Sequence, residues 1–337
     1  MAARYHRLWD EGVPVTLFTD REYRSAVARL RVGQRQIVLH WGLIESIWNT
    51  ALLLVSTSEP VTKAFGWSVP DHIPKSLSRF STLAHKWHPG RDENEMFAHA
   101  VAIFGRAIEV VWFHEFSHHI RGHLERLKGR DIDEALHMAA HFSRDEDAAI
   151  IRDLELDADF FCINLLVQSE GERFRRSSEV SEDGRVSVDT VLSELYFRIA
   201  SIMALNLVLD DPDRSVSNQN ESDHPPAIHR AIRTSSMYLD AIHRRVALSR
   251  SDLEHYADFA WTAAHSVAEY SGLDRGRWLP GERREKRMPL YTEEIERASD
   301  LIFDINREMG LEDADDRPDH FDLIASKLGD DFMRFKL

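Results

Sequence analysis

A mainly α protein with little β structure is the fold class this sequence predicts, on three observations. Apolar residues recur at helical spacing along most of the 337 residues. Long alternating runs of the kind that build half-buried strands are scarce. The stretches that break the helical period are rich in Gly, Pro, Asp, Ser and Asn, and read as connections rather than as strands.

Taken in order, Gly12 to Thr19 is the one candidate strand, with Thr19 or Asp20 capping a following helix. Helices are then expected over Arg21 to Leu30, Gln34 to Val55, Glu93 to Leu127, Asp131 to Phe142, Arg144 to Gln168, Asp189 to Leu209 and Pro226 to Leu248. Ser251-Asp252-Leu253-Glu254 reads as a capping box opening a helix toward Tyr270. Thr292 precedes an acidic first turn and a last helix ending near Gly310. Ser169 to Asp189 reads as a mobile loop, and Asp210 to Asp223 as a polar connection leading into His224-Pro225-Pro226. Gly272 to Tyr291, with Arg275, Arg277, Arg283, Arg284, Lys286 and Arg287, reads as a solvated basic linker.

Composition narrows the function classes. A formal charge of -15 argues against general nucleic-acid binding, which needs basic surface to meet phosphates. The single cysteine, Cys162, excludes an intrachain disulfide and fits a reducing compartment, so the expected address is the cytoplasm. The first ten residues hold no apolar run of the secretory kind. Ile37 to Thr57 is the best membrane candidate, but it contains His40, Glu45, Asn49 and Thr50, whereas a span needs about 20 mostly apolar residues. Leu192 to Leu209, with Glu194, Arg198 and Asn206, likewise reads as a buried helix, so no membrane partner is expected.

The most informative motif is His114-Glu115-Phe116-Ser117-His118. On a helix, residues four apart share a face, so His114 and His118 can offer ring nitrogens to one zinc ion at about 2.0–2.1 Å each. Glu115 is offset by roughly 100°, which suits activation of a water better than ligation. The preceding run, Ala100 to Phe113, is apolar on most faces and free of proline, so the motif falls in helical context. The structural alternative is a pair of ordinary half-buried histidines, and the five-residue pattern alone does not separate the two.

A catalytic zinc takes three protein ligands and keeps a position open. The metzincin pattern would place a third histidine where this chain has Leu124; His123 comes one residue too early, and His119 lies about 100° around the helix from His118. Both are expected to face solvent or to pack. A glutamate from the next helix, as in gluzincins, is supplied by Asp153-Leu154-Glu155-Leu156-Asp157-Ala158-Asp159, with Glu155 as the expected third ligand. Asp159 shares its helix face and can accept the second N–H of a ligating histidine. A rival metal set, Asp133, His137 and His141, sits at four-residue spacing but lacks an adjacent glutamate.

Glu155-Leu156-Asp157-Ala158-Asp159 resembles the Glu-x-x-Ala-Asp element of peptidase family M48, and His224-Pro225-Pro226-Ala227-Ile228-His229-Arg230 resembles that family's His-Pro-x-x-x-x-Arg segment. With the zinc-helix motif, three elements occur in the family's order. The resemblance implies a zincin-like, gluzincin-type metallopeptidase core in which His224 stabilises the oxyanion and Arg230 pairs with acidic groups of the site. His114 to His123 is also similar to the zinc helix of the Lit-type phage-exclusion peptidases, which implies a role in phage defence. Membrane spans typical of the best-known M48 members are missing here, so their prenylated substrates do not carry over.

These readings divide the chain into a zinc metallopeptidase domain over 1–271, with its catalytic core at about 93–250, the linker at 272–291 and a C-terminal helical segment at 292–337. The expected function is a Zn²⁺-dependent endopeptidase acting on an intracellular protein or peptide, with catalytic Glu115, His224 and Arg230, metal ligands His114, His118 and Glu155, and Asp159 behind them. Two alternatives use the same residues: an interaction protein with a structural zinc, and a hydrolase of a non-peptide amide. The retained Glu115 favours an enzyme, since a structural site needs no base.

Overall fold

The computed structural model describes residues 13–19, 26–31, 34–57, 91–127, 135–137, 145–176, 187–210, 227–246, 248–271, 273, 278 and 298–308. In chain order these form β1 (Val15–Phe18), β2 (Ala26–Arg31), β3 (Gln34–His40), α1 (Trp41–Ser56), α2 (Arg91–Arg121), α3 (His123–Leu127), β4 (Ala135–His137), α4 (Asp145–Arg176), α5 (Val188–Leu209), α6 (Ala227–His243), α7 (Arg250–Ser271) and a last helix, α8, over 298–308. The mainly α expectation holds.

Helix α2 is the organising element. Met96, Ala100, Ile103, Ala107 and Val110 recur at three- and four-residue steps along one face and are all buried. Against α2 pack α1, α4 and α5, while α6 and α7 pack in turn on α5. One continuous apolar core runs through all of these helices. Helix α5 begins at Ser187, whose hydroxyl accepts the Thr190 backbone N–H at 3.1 Å and supplies its N-cap.

The small sheet has strand order β1-β3-β2-β4, with β1 parallel to β3 and both other pairings antiparallel. Alternation decides its faces: Ala28 opposite Ile37 and Ala26 opposite Leu39 join the helical core, and Val27 opposite Val38 packs on the other side. Strands β2 and β3 lie against α2, which sets the sheet beside the helix that carries the histidine motif.

Several boundary expectations are corrected. Ala26–Arg31 is a strand, not the end of a helix, because its three-residue apolar start pairs on both sides with β3 and β4. Gln34–His40 is likewise strand β3, and the helix expected from Gln34 starts only at Trp41. The helix expected over Asp131 to Phe142 is interrupted by strand β4 at its described residues. Helix α4 continues to Arg176, into the stretch read as a loop. The capping residue of α7 is Ser249 rather than Ser251: its hydroxyl accepts the Asp252 N–H at 3.1 Å and donates to the Asp252 carboxylate at 2.6 Å. Trp278, inside the expected linker, is fully buried, stacks at a tilt near Trp261 and donates to Asp210 at 2.9 Å.

Among the described residues two helices are long and apolar enough to cross a membrane by length and composition, Glu95–Arg121 within α2 and Val188–Leu209, which is α5. The most apolar window of α5 is 89% buried inside the molecule, as a core helix would be. Ile37 to Thr57 is divided between β3 and the 16-residue α1, which is shorter than a span requires.

Candidate metal centre

Helices α2 and α4 cross so that the faces bearing His114 and His118, and Glu155 and Asp159, meet in the core. Nε2 of His114 and Nε2 of His118 are 3.1 Å apart. The Glu155 carboxylate lies 3.2 Å from His114 Nε2 and 3.3 Å from His118 Nε2. All three side chains are buried, and their donor atoms lie within 4.8 Å of one another. Among the described residues this is the one group of three or more His, Cys, Asp or Glu so placed.

The residues fit a divalent cation on two grounds. Ligands at about 2.0–2.1 Å around a tetrahedral centre stand roughly 3.3 Å from each other, close to the separations of 3.1, 3.2 and 3.3 Å found here. The cluster also attracts positive charge. Burial and the Arg230 guanidinium both oppose protonation of His114, yet Glu155 and Asp159 override them and raise its pKa to about 9. His118 goes the other way, held down to about 3 chiefly by burial. Two imidazoles and one carboxylate form a donor set that suits zinc.

Glu115 is fully buried beside this point, and neither of its carboxylate oxygens completes a hydrogen bond of good geometry. Burial pushes its carboxyl up to about 8, against the pull of His114; the backbone of Ala28 on β2 eases the charge slightly. A buried polar group left in this state costs free energy.

Behind His114 stands Asp159, whose Oδ1 is 3.0 Å from His114 Nδ1. Arg230, on the first turn of α6, donates to Asp159 at 2.6 and 3.0 Å, and Arg233 donates to the same carboxylate at 2.7 Å. Burial raises the pKa of Asp159, but Arg230 and His114 outweigh it and hold the group well below the usual carboxylate range. Arg230 also reaches Glu155 at 3.3 Å and lies 2.9 Å from the His114 ring nitrogens, so one guanidinium braces the ligand pair from α6.

His118 has a different support. Its Nδ1 is 2.8 Å from Nδ1 of His123, and His123 Nε2 donates to Asp157 at 2.8 Å. Asp157 is clamped by Arg121 at 2.7 and 2.5 Å, and Arg121 donates also to Asn306 at 2.8 Å. His123, expected to face solvent or to pack, is fully buried and also takes part in this chain of polar contacts. On a continuous helix a residue five positions on would sit roughly 140° away from His118. Gly122, at φ 75°, ends α2 in a left-handed conformation and brings His123 back. His119 is buried as well, and its Nε2–H donates to the Gln36 carbonyl of β3 at 3.0 Å, tying the sheet to the motif helix.

The structure therefore brings together His114, Glu115, His118, Glu155, Asp159 and Arg230, and adds His123, Asp157, Arg121 and Arg233, which sequence reasoning missed. The glycine directly before His123 was the available signal. His224 lies outside the described residues. Of the rival set, Asp133 and His141 also lie outside them, while His137 is on strand β4, where it shares no helix face with a residue four away. The family described as Peptidase U49 matches residues 44–244, a span that contains the whole of this cluster apart from Asn306. No curated protein matches the chain. No solved structure matches it either.

Proposed function

Because the chain belongs to the Peptidase U49 family over more than half its length, we propose that it is a zinc-dependent endopeptidase cutting a peptide bond in an intracellular protein. The observation that carries this reading is a fully buried Glu115, met only by the Ala28 backbone and by no well-formed side-chain hydrogen bond, beside three convergent ligand-type side chains. A purely structural metal site has no use for such a carboxylate, and leaving it buried has a cost that only a task offsets.

His114, His118 and Glu155 would hold the ion. When bound, zinc supplies Lewis acidity and lowers the pKa of a water toward about 7. Glu115 is the base: opposite charge at the three-ligand point favours its ionised form, against the burial that favours its neutral one. It takes the proton as the water attacks the carbonyl carbon and returns it to the leaving amine. Asp159, kept ionised by Arg230 and Arg233, accepts from His114 Nδ1, which leaves Nε2 with its lone pair for the cation. The M48-type order of the three sequence elements supports a further donor from His224 to the developing oxyanion, and the single cysteine supports a cytoplasmic address.

The test uses the full chain. Purified protein should carry about one zinc per chain by elemental analysis, as one three-ligand site requires. Expression of the native protein and of its Glu115→Gln form, followed by mapping of new protein N-termini in the cell, should give cleavage products with the native form alone. A metal-free native protein that cannot be loaded, or equal cleavage by both forms, sinks the proposal.

A further inference from the structure

Resting on the metal-site reading above, we infer that His123 is a positioning residue for His118, and that α8 takes part in the centre through Asn306. The five groups from His118 to Asn306 form a chain in which each hydrogen has a determined place. A cation held at Nε2 of His118 obliges its Nδ1 to carry the proton, because a neutral imidazole has one donor and one acceptor. That proton points at His123 Nδ1, 2.8 Å away, which must then be the acceptor. His123 consequently carries its proton on Nε2 and donates it to Asp157 at 2.8 Å. Asp157 accepts at both of its oxygens from Arg121, at 2.7 and 2.5 Å. Asn306 offers its carbonyl oxygen to the remaining arm of Arg121 at 2.8 Å.

Every step in this order is satisfied by one assignment of tautomers, and reversing any member leaves two donors or two acceptors face to face. The chain is also enclosed. His123 and Asp157 are fully enclosed, Arg121 packs over the Phe161 ring at 5.4 Å, and Asn306 is buried next to Ile305, which has no exposed surface. The two metal-binding histidines are thus oriented by different means. His114 leans directly on a carboxylate, whereas His118 reaches its carboxylate through a second imidazole that only the break at Gly122 can supply. The part of the chain expected to lie beyond a solvated linker would then belong to the catalytic unit.

The experiment measures zinc affinity of the full-length protein by competition with a chelating dye, together with the visible absorption of the cobalt-substituted form, whose bands respond to ligand orientation. His123→Leu should weaken zinc by about 10–100-fold, as loss of an outer contact to a ligating histidine does, and should shift the cobalt bands. His123→Gln, whose amide carries both an acceptor and a donor, should recover part of the affinity and move the bands back. Asn306→Ala should give a smaller loss, roughly several-fold, since it acts through Arg121. Glu308→Ala, which removes only the outer pairing of α8 with Arg126, should change neither readout. Native protein that binds no divalent ion defeats the metal-site reading itself. Native protein that binds zinc while His123→Leu binds it equally, with unchanged cobalt bands, overturns the role assigned to His123. Should His123→Leu not fold, unchanged affinity and bands in Asn306→Ala and His123→Ala overturn it instead.

Discussion

Two clusters of charge are buried between the same helices, and they differ in how completely they are closed. The first is the candidate metal centre. The second lies further along α2, where Arg198 of α5 is fully buried and all three guanidinium nitrogens donate: to Glu170 at 2.6 Å, to the Arg106 carbonyl at 3.0 Å and to Glu109 at 2.7 Å. Tyr238 of α6 donates to the other oxygen of Glu170, and Arg173 spans Glu109 and Glu194 at 2.7 and 3.2 Å. Burial opposes ionisation of Glu109, but Arg198 and Arg173 prevail and lower its pKa. Burial also works against the charge on Arg198, and Glu170 and Glu109 more than restore it. This cluster has partners for its charges, and it fastens α2, α4, α5 and α6 into one frame. The candidate metal centre, built on α2, α4 and α6 as well, buries Glu115 with only the Ala28 backbone to meet its charge and brings three ligand-type side chains to one place. Buried charge alone is therefore no sign of chemistry; an unfinished arrangement of it is.

If that contrast is right, one kind of edit must have opposite consequences in the two clusters. Glu115→Gln should lower peptide hydrolysis by about 10²–10⁴-fold, the range for loss of a positioned general base, while zinc content stays at the native level and resistance to urea does not fall. A marked loss of stability in that variant would mean that Glu115 is part of the frame. Arg198→Met should do the reverse. It strands the fully buried Glu170 in the core and leaves the half-buried Glu109 to Arg173 alone, at a cost of about 3–5 kcal/mol, which urea denaturation would read as a lower midpoint with an unchanged slope. Zinc bound to the surviving folded fraction should keep its affinity.

What the sequence disclosed follows the same division. His114, Glu115 and His118 were legible because one helical turn puts ligands on a face without help from elsewhere, and Glu155 with Asp159 repeated the trick on α4. The frame was not legible: Arg198 and Glu194 showed only as interruptions of an apolar helix, while the partners of Arg198, Glu170 and Glu109, are 28 and 89 residues away and those of Glu194, Arg173 and Arg106, are 21 and 88 residues away. The contact of His123 with His118 was not foreseen because its reach depends on a single left-handed residue, which spacing on an ideal helix cannot reveal. The strands failed for a related reason. Ala26–Arg31 and Gln34–His40 are short, and their apolar residues are consistent with either period until β4, from more than a hundred residues on, pairs with β2. The C-terminal helix was seen, but nothing local said that Asn306 meets Arg121 across 185 residues.

Smaller edits sharpen the contrast further. Asp159→Asn keeps the shape of the side chain but weakens its acceptor, so zinc affinity should fall by about 10–100-fold. Arg230 and Arg233 would lose their common anion at the same time, so stability should decline with affinity. Glu109→Gln is the matching change in the frame, and there stability should fall while zinc affinity holds. Equal loss of affinity in both variants would show that the clusters behave as one unit.

The smallest expected effect comes from Gly122→Ala. An alanine held at φ 75° pays the left-handed penalty of about 1–2 kcal/mol, and on stability alone this is no different from removing the α5 cap with Ser187→Ala, which should cost about 1 kcal/mol. The two variants part company at the metal. Ser187 begins a helix that contributes no ligand, so its loss should leave zinc affinity at the native value. Gly122 sets the direction from which His123 meets His118, so any relaxation of the strained alanine must shift that 2.8 Å contact and weaken the site. A Gly122→Ala protein with native zinc affinity would show that the helix break is merely a way of ending α2, and that His118 is oriented well enough without it.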